Sequence, residues 1–253
     1  VDKVPSEGMK PRDGGCGEVS LQLRCSAAHD SSIDGVLVAP GGVLTPRSPF
    51  DCEVNDSSRF VPTALHSELL AGMALDHAAG HHICLIGGKG QGKSALAHAF
   101  GAMMGYSPRT LHLYKEMTSR DLWQRRATDE QGNTHWVDST LVDAAVNGEL
   151  IVLDGVQQLR PDSLAGLQQL LHDGEAGLPS GQRLMRATEF DGLLSSQEDL
   201  TVEQLTARGL RRVHPAFRVL ALASPPGVGG TGASAETADW LTAETMSLFS
   251  FHA

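Results

Sequence analysis

The chain has 253 residues, room for one or two domains with a sizeable core, and 30 acidic against 20 basic side chains leave it at net −10. That balance argues against a binder of nucleic-acid backbones, whose surface carries excess Lys and Arg. A hydrophobic content of 41% argues against a chain disordered throughout, and the absence of any run of roughly 20 apolar residues argues against a membrane span.

Residues 1–59 mix Gly, Pro, Ser and Asp around one short apolar patch, Gly35 to Ala39, and are expected to be a flexible linker or poorly ordered leader. Val1 in place of methionine suggests a piece of a longer chain, and no basic segment leads into an apolar stretch to form a signal or transit peptide. Cys16, Cys25, Cys52 and Cys84 are too widely spaced for a CxxC metal or redox pair, so reduced thiols are expected.

From Pro62 the pattern becomes helical, with Leu65, Leu69 and Met73, and Leu70 beside them, forming an apolar stripe that ends at Gly80. Ile83 to Ile86 is all apolar, the signature of a strand covered on both faces. A glycine loop follows, then a helix from Ala95 to Met104 that stops at Gly105. The same alternation continues with strands at Thr110–Tyr114, Leu150–Leu153 and Phe217–Ala223 and helices at Leu141–Asn147 and Asp162–His172. It predicts an α/β fold with a mainly parallel sheet between layers of helices. Between the last helix and the last strand, Asp173-Gly174 and Pro179-Ser180-Gly181 flank short runs that read as a β-hairpin insertion, followed by a polar helix near Thr201 to Arg208.

Gly87-Gly88-Lys89-Gly90-Gln91-Gly92-Lys93-Ser94 fits G-x-x-x-x-G-K-[ST] directly after a strand and before a helix. Bare backbone is what this chemistry needs. Gly87 and Gly92 are expected to let the chain curl so that N–H groups through Ala95 face phosphates, while the helix N-terminus adds positive partial charge. Lys93 would neutralise the β and γ phosphates and the Ser94 hydroxyl would ligate Mg²⁺. The second requirement is a carboxylate at the end of a neighbouring buried strand; Leu150-Ile151-Val152-Leu153-Asp154 supplies it, and Asp154 is assigned to magnesium. Hydrolysis further calls for a second acid to polarise the attacking water, and that position holds Gly155.

Weaker patterns carry less. His77, His81 and His82 are read as a surface cluster rather than a metal site, because Gly80 breaks the helix between them. Arg125-Arg126 and Arg211-Arg212 could reach phosphates of a neighbouring subunit, though solvated helix ends explain them more simply. Trp123, Trp136 and Trp240 are expected to be packing residues.

The phosphate loop, the Leu153-Asp154-Gly155 strand end, the hairpin after the following helix and the segment His214 to Ala221 together resemble the dynein-related branch of AAA+ ATPases. Phe60-Val61-Pro62-Thr63, His82 to Gly90, Met117 to Leu122 and Trp240-Leu241-Thr242 extend the resemblance over residues 60–252. It implies a P-loop NTPase core of three αβα layers over residues 60–253, cut before the small helical lid. ATP is the implied nucleotide, since the Asn-Lys-x-Asp guanine motif is absent, and Ser224 takes the sensor 1 position where the family usually has asparagine. Leu248 stands where an arginine finger would be. The resemblance further implies neighbouring AAA+ units as partners, a protein substrate of unknown identity, and a mitochondrial setting, with a cytoplasmic one left if the resemblance does not hold. Three functions follow: an ATPase module driving conformational work in a larger assembly, a unit that holds ATP without turning it over, and a small-molecule kinase.

Overall fold

The structure is a computed structural model that describes residues 2–3, 18–26, 32–40, 60–61, 63–196, 200–225 and 240–253. Strands β1 (Asp2–Lys3), β2 (Glu18–Ser26) and β3 (Ser32–Pro40) form an antiparallel sheet in that order, with β2 and β3 in register from Glu18↔Pro40 to Ser26↔Ser32. These strands depart from the expected linker over residues 1–59. The missed signal is Val19, Leu21, Leu23 and Cys25 alternating with polar residues, which is the period of a strand. Cys16 and Cys52 lie outside the described residues.

Helix α1 (Ala64–Ala78) starts at Thr63, whose hydroxyl accepts the His66 N–H while the His66 ring accepts the Thr63 N–H, a reciprocal cap. Its buried face is Leu70, Met73, Ala74 and His77. The expected stripe is therefore rotated: Leu65 is 60% exposed, because the spacings of three and four residues that follow an α-helical face select 70-73-74-77 rather than a strict repeat of four. Strand β4 (Ile83–Ile86) has the expected bounds, and α2 (Lys93–Met103) begins two residues before the expected Ala95. Strand β5 spans Arg109–His112, shorter than expected at its carboxyl end.

Then comes a segment the sequence reading left unassigned: α3 (Ser119–Trp123) and an antiparallel hairpin of β6 (Gln124–Thr128) and β7 (Thr134–Asp138). Helix α4 (Thr140–Asn147), strand β8 (Leu150–Asp154) and helix α5 (Pro161–Asp173) follow close to expectation. The expected hairpin insertion is present as β9 (Ala176–Gly177) and β10 (Arg183–Met185). Helices α6 (Ala187–Ser196) and α7 (Val202–Ala207) lead from it to β11 (Leu210–Arg212), which pairs parallel with β10 and makes a sheet of three strands. The last elements are β12 (Arg218–Ala223), α8 (Ala243–Leu248) and β13 (Ser250–His252).

The central sheet runs β13-β4-β12-β8-β5, and every neighbouring pair is parallel. Successive residues of its strands face opposite ways, which divides the core in two. Ile83, Leu85, Val152, Leu220 and Leu222 pack with α1 and α2 through Met73, Ala74, Leu96 and Phe100. Cys84, Ile151, Leu153, Val219 and Ala221 pack on the other face with Leu141, Ala144, Leu167, Leu170 and Leu248 of α4, α5 and α8. The fold is thus α/β in three layers around a parallel sheet, as the sequence implied.

Candidate functional site

Because β4, β12 and β8 are parallel neighbours, their carboxyl ends meet at one edge of the sheet, the edge where open α/β sheets place ligands. The loop Gly87–Gly92 leaves β4 there, and its first amide is fixed by the Gly87 N–H donating to the Ala223 carbonyl of β12 at 3.1 Å. The left-handed turns that curl the loop fall at Gly90 (φ 84°) and Gly92 (φ 80°). This corrects the expectation for Gly87, which contributes space rather than handedness: a Cβ there would lie 2.6 Å from Gln91 Oε1.

Gly92 is the N-cap of α2 and offers no side-chain acceptor, so the helix presents its first-turn amides at the end of the loop. Lys93 Nζ folds back and donates to the carbonyls of Gly87 (2.7 Å) and Gly88 (2.9 Å). Its ammonium is thereby held in the mouth of the loop. Lys89, Gly90 and Ser94 are exposed.

Ser224 follows Ala223, the residue bonded to Gly87, so it sits beside the start of the loop; its carbonyl accepts the Trp240 indole N–H at 3.1 Å. Asp154 ends β8, level with Leu222 of β12, which in turn is level with Leu85 of β4. Asp154 is therefore two strands from the loop, about 10 Å at the usual interstrand spacing. The structure brings Gly87 to Ala95, Ser224 and Asp154 to one edge.

The residue that sequence reasoning missed is His112. It is paired in register with Asp154 across β5 and β8, and its Nδ1 lies 3.4 Å from Asp154 Oδ2. The only local signal was its place at the end of a short strand, Arg109–His112. Gly155, next to Asp154, adopts φ 94°, and a Cβ there would approach the Leu113 carbonyl oxygen at 3.1 Å.

Two expectations are corrected. Of the three histidines read as a surface cluster only His81 is exposed: His77 is 1% exposed and packs edge-on to Phe100 and Tyr106, and His82 Nδ1 accepts the Val219 N–H. Burial, reinforced by the Arg218 charge, lowers the His82 pKa to about 3. The arginine pairs lie on strands rather than at helix ends: Arg126 sits over the Trp136 ring at 4.8 Å, Arg211 bonds Asp138 at 2.6 Å, and Arg212 makes a two-toothed pair with Asp191. Leu248, where the resemblance would place an arginine finger, is 5% exposed within the core. Cys84 is a free buried thiol whose pKa burial pushes up to about 12, which makes it a packing residue without reactivity.

A mouse (Mus musculus) protein, von Willebrand factor A domain-containing protein 8, is 45% identical to this chain over 193 residues, 76% of the chain and 10% of that protein. Midasin of Giardia intestinalis is 36% identical over 89 residues, 35% of the chain and 2% of its own length. The chain thus spans a tenth or less of the curated relatives it matches. NtrX from Brucella abortus, solved in complex with ADP, aligns with a TM-score of 0.41 at 16% identity, covering 67% of this chain and 32% of that one. The model of the AAA domain (dynein-related subfamily) matches residues 82–240. With a contiguous P-loop between a central parallel strand and an uncapped helix, and that match across most of the sheet, the chain belongs to the dynein-related subfamily of AAA-family ATPase domains.

Proposed function

We propose that residues 60–253 form a Mg-ATP-binding module whose hydrolysis of ATP does conformational work within a larger multi-domain ATPase. The observation that carries this reading is the position of the Lys93 ammonium, fixed by two carbonyls in a glycine loop that opens onto an uncapped helix N-terminus. Backbone donors from Lys89, Gly90, Gly92, Lys93, Ser94 and Ala95 suit the oxygens of a polyphosphate, while the N–H groups of Gly88 and Gln91 brace the loop that presents them. Lys93 neutralises their charge, Ser94 and Asp154 are the oxygen ligands a magnesium ion calls for, and Ser224 is placed to sense the terminal phosphate. Magnesium, when bound, supplies charge stabilisation on the transferred phosphoryl group.

Family membership supports neighbouring AAA+ units, on the same or identical polypeptides, as partners. The mitochondrial setting that the sequence resemblance implies is tested by fractionation of the endogenous protein. Among the described residues no helix is long and apolar enough to cross a membrane.

A second reading, a unit that holds ATP without turning it over, is favoured by Gly155. Its left-handed backbone and the Leu113 carbonyl, 3.1 Å from where a Cβ would lie, disfavour at this position the acid that would polarise water. One experiment separates the two readings. The chain is titrated with a fluorescent ATP analogue with and without Mg²⁺, and phosphate release is followed in the same samples. The module reading expects binding with Lys93-dependent release, the second reading expects binding without it, and a Lys93→Ala chain that binds as tightly as wild type refutes both.

A further inference from the structure

The side chain of Gln91 is exposed, yet it is folded back over the loop that carries it. Its Oε1 accepts the Gly88 N–H at 2.6 Å, whereas the main-chain closure of the same turn, the Gln91 N–H to the Gly88 carbonyl, is 3.5 Å long. The side chain is thus the shorter of the two closures. The peptide joining Gly87 to Gly88 is gripped on both sides, because the carbonyl it carries, that of Gly87, takes the Lys93 ammonium at 2.7 Å. Gly87 makes room for this arrangement, since a Cβ at that position would come within 2.6 Å of Gln91 Oε1.

We infer that Gln91 is a positioning residue of the phosphate loop: its amide oxygen fixes the Gly87–Gly88 peptide, whose Gly87 carbonyl in turn holds the Lys93 ammonium where a nucleotide's phosphates meet it. The inference rests on the phosphate-binding reading of the loop. Without the Gln91 acceptor the Gly87–Gly88 peptide is free to rotate, Lys93 loses the Gly87 carbonyl as a fixed anchor, and the order of the loop must then be supplied by the nucleotide itself. One hydrogen bond of net worth is at stake, which corresponds to about five-fold in affinity.

The test uses the whole 253-residue chain and measures dissociation constants for a fluorescent ATP analogue. Gln91→Met keeps length and removes the acceptor; it should bind about five-fold more weakly, with the melting temperature of the nucleotide-free protein unchanged because Gln91 buries nothing. Gly87→Ala places a methyl group where the amide oxygen sits. It should weaken binding in the wild-type background and add nothing further to Gln91→Met, a non-additivity that loss of general structure does not produce. Unchanged or tighter binding by Gln91→Met, or full additivity of the pair, overturns the inference. Lys93→Ala separates the two levels: if it abolishes binding while Gln91→Met is silent, this inference alone fails, and if Lys93→Ala binds normally, the phosphate-loop reading fails with it.

Discussion

Two side chains carry consequences that reach past their own positions. Asp154 has no carboxylate beside it in the chain and faces the imidazole of His112 at 3.4 Å. If Asp154 holds magnesium, Asp154→Asn should leave nucleotide affinity in EDTA unchanged and flatten its dependence on added Mg²⁺; a magnesium response equal to wild type would remove Asp154 from the site. His82 acts on stability. Its folded pKa is lowered to about 3, by burial first and the Arg218 charge second, whereas an unfolded histidine titrates near ~6.5. Between these values the unfolded chain takes up a proton that the folded chain refuses. The full stability of the neutral ring is therefore present above about pH 6.5 and declines as the pH falls towards 3. Thermal unfolding followed from about pH 7 to about pH 4 should show a steeper fall for wild type than for His82→Asn, which does not titrate in that range.

At the scale of elements, α2 is held to its surroundings by a glycine. Gly101 is buried in the helix, and a Cβ there would lie 2.1 Å from Pro108 Cγ and 3.4 Å from Leu150 Cδ2. Gly101→Ala gains about 0.5–1 kcal/mol of helix preference, but crowding a rigid proline ring costs about 1–3 kcal/mol. Crowding should win, and the melting temperature should drop by a few degrees. The two insertions show a different principle. The hairpin of β6 and β7 and the sheet of β9 to β11 are joined by polar side chains: Gln124 bonds both Asp138 and the Ser180 N–H, and Arg211 bonds Asp138. Their composition carries little apolar signal, so neither the first hairpin nor the strand positions of the arginines are legible in the sequence.

For the whole molecule, the packing of Leu248 ties α8 to the central sheet. It closes α8 against the face of the sheet that also holds Leu153, Leu167 and Phe249. An arginine forced there would be a buried charge without a partner, costing about 3 kcal/mol or more. Leu248→Arg should accordingly lower the urea midpoint markedly rather than create a group that reaches an adjacent unit. An unchanged midpoint would mean that α8 can turn this position outward.

What the sequence determined by itself is everything encoded over a few adjacent residues. Apolar runs of four to six residues made β4, β8 and β12, because a strand covered on both faces needs no alternation. The glycine-lysine-serine loop was legible because its whole geometry lies within eight neighbouring residues between a strand and a helix. Tertiary structure alone decided the rest. That β12 lies between β4 and β8, that His112 comes to rest against Asp154, that His77 is buried and Leu248 packed, all depend on which strands become neighbours across long stretches of chain. Hydrophobic periodicity tells which face of an element is inward but not what it meets there. A partner such as His112 becomes visible only once the β4–α2–β5 crossover has carried β5 past β12 to the far side of β8.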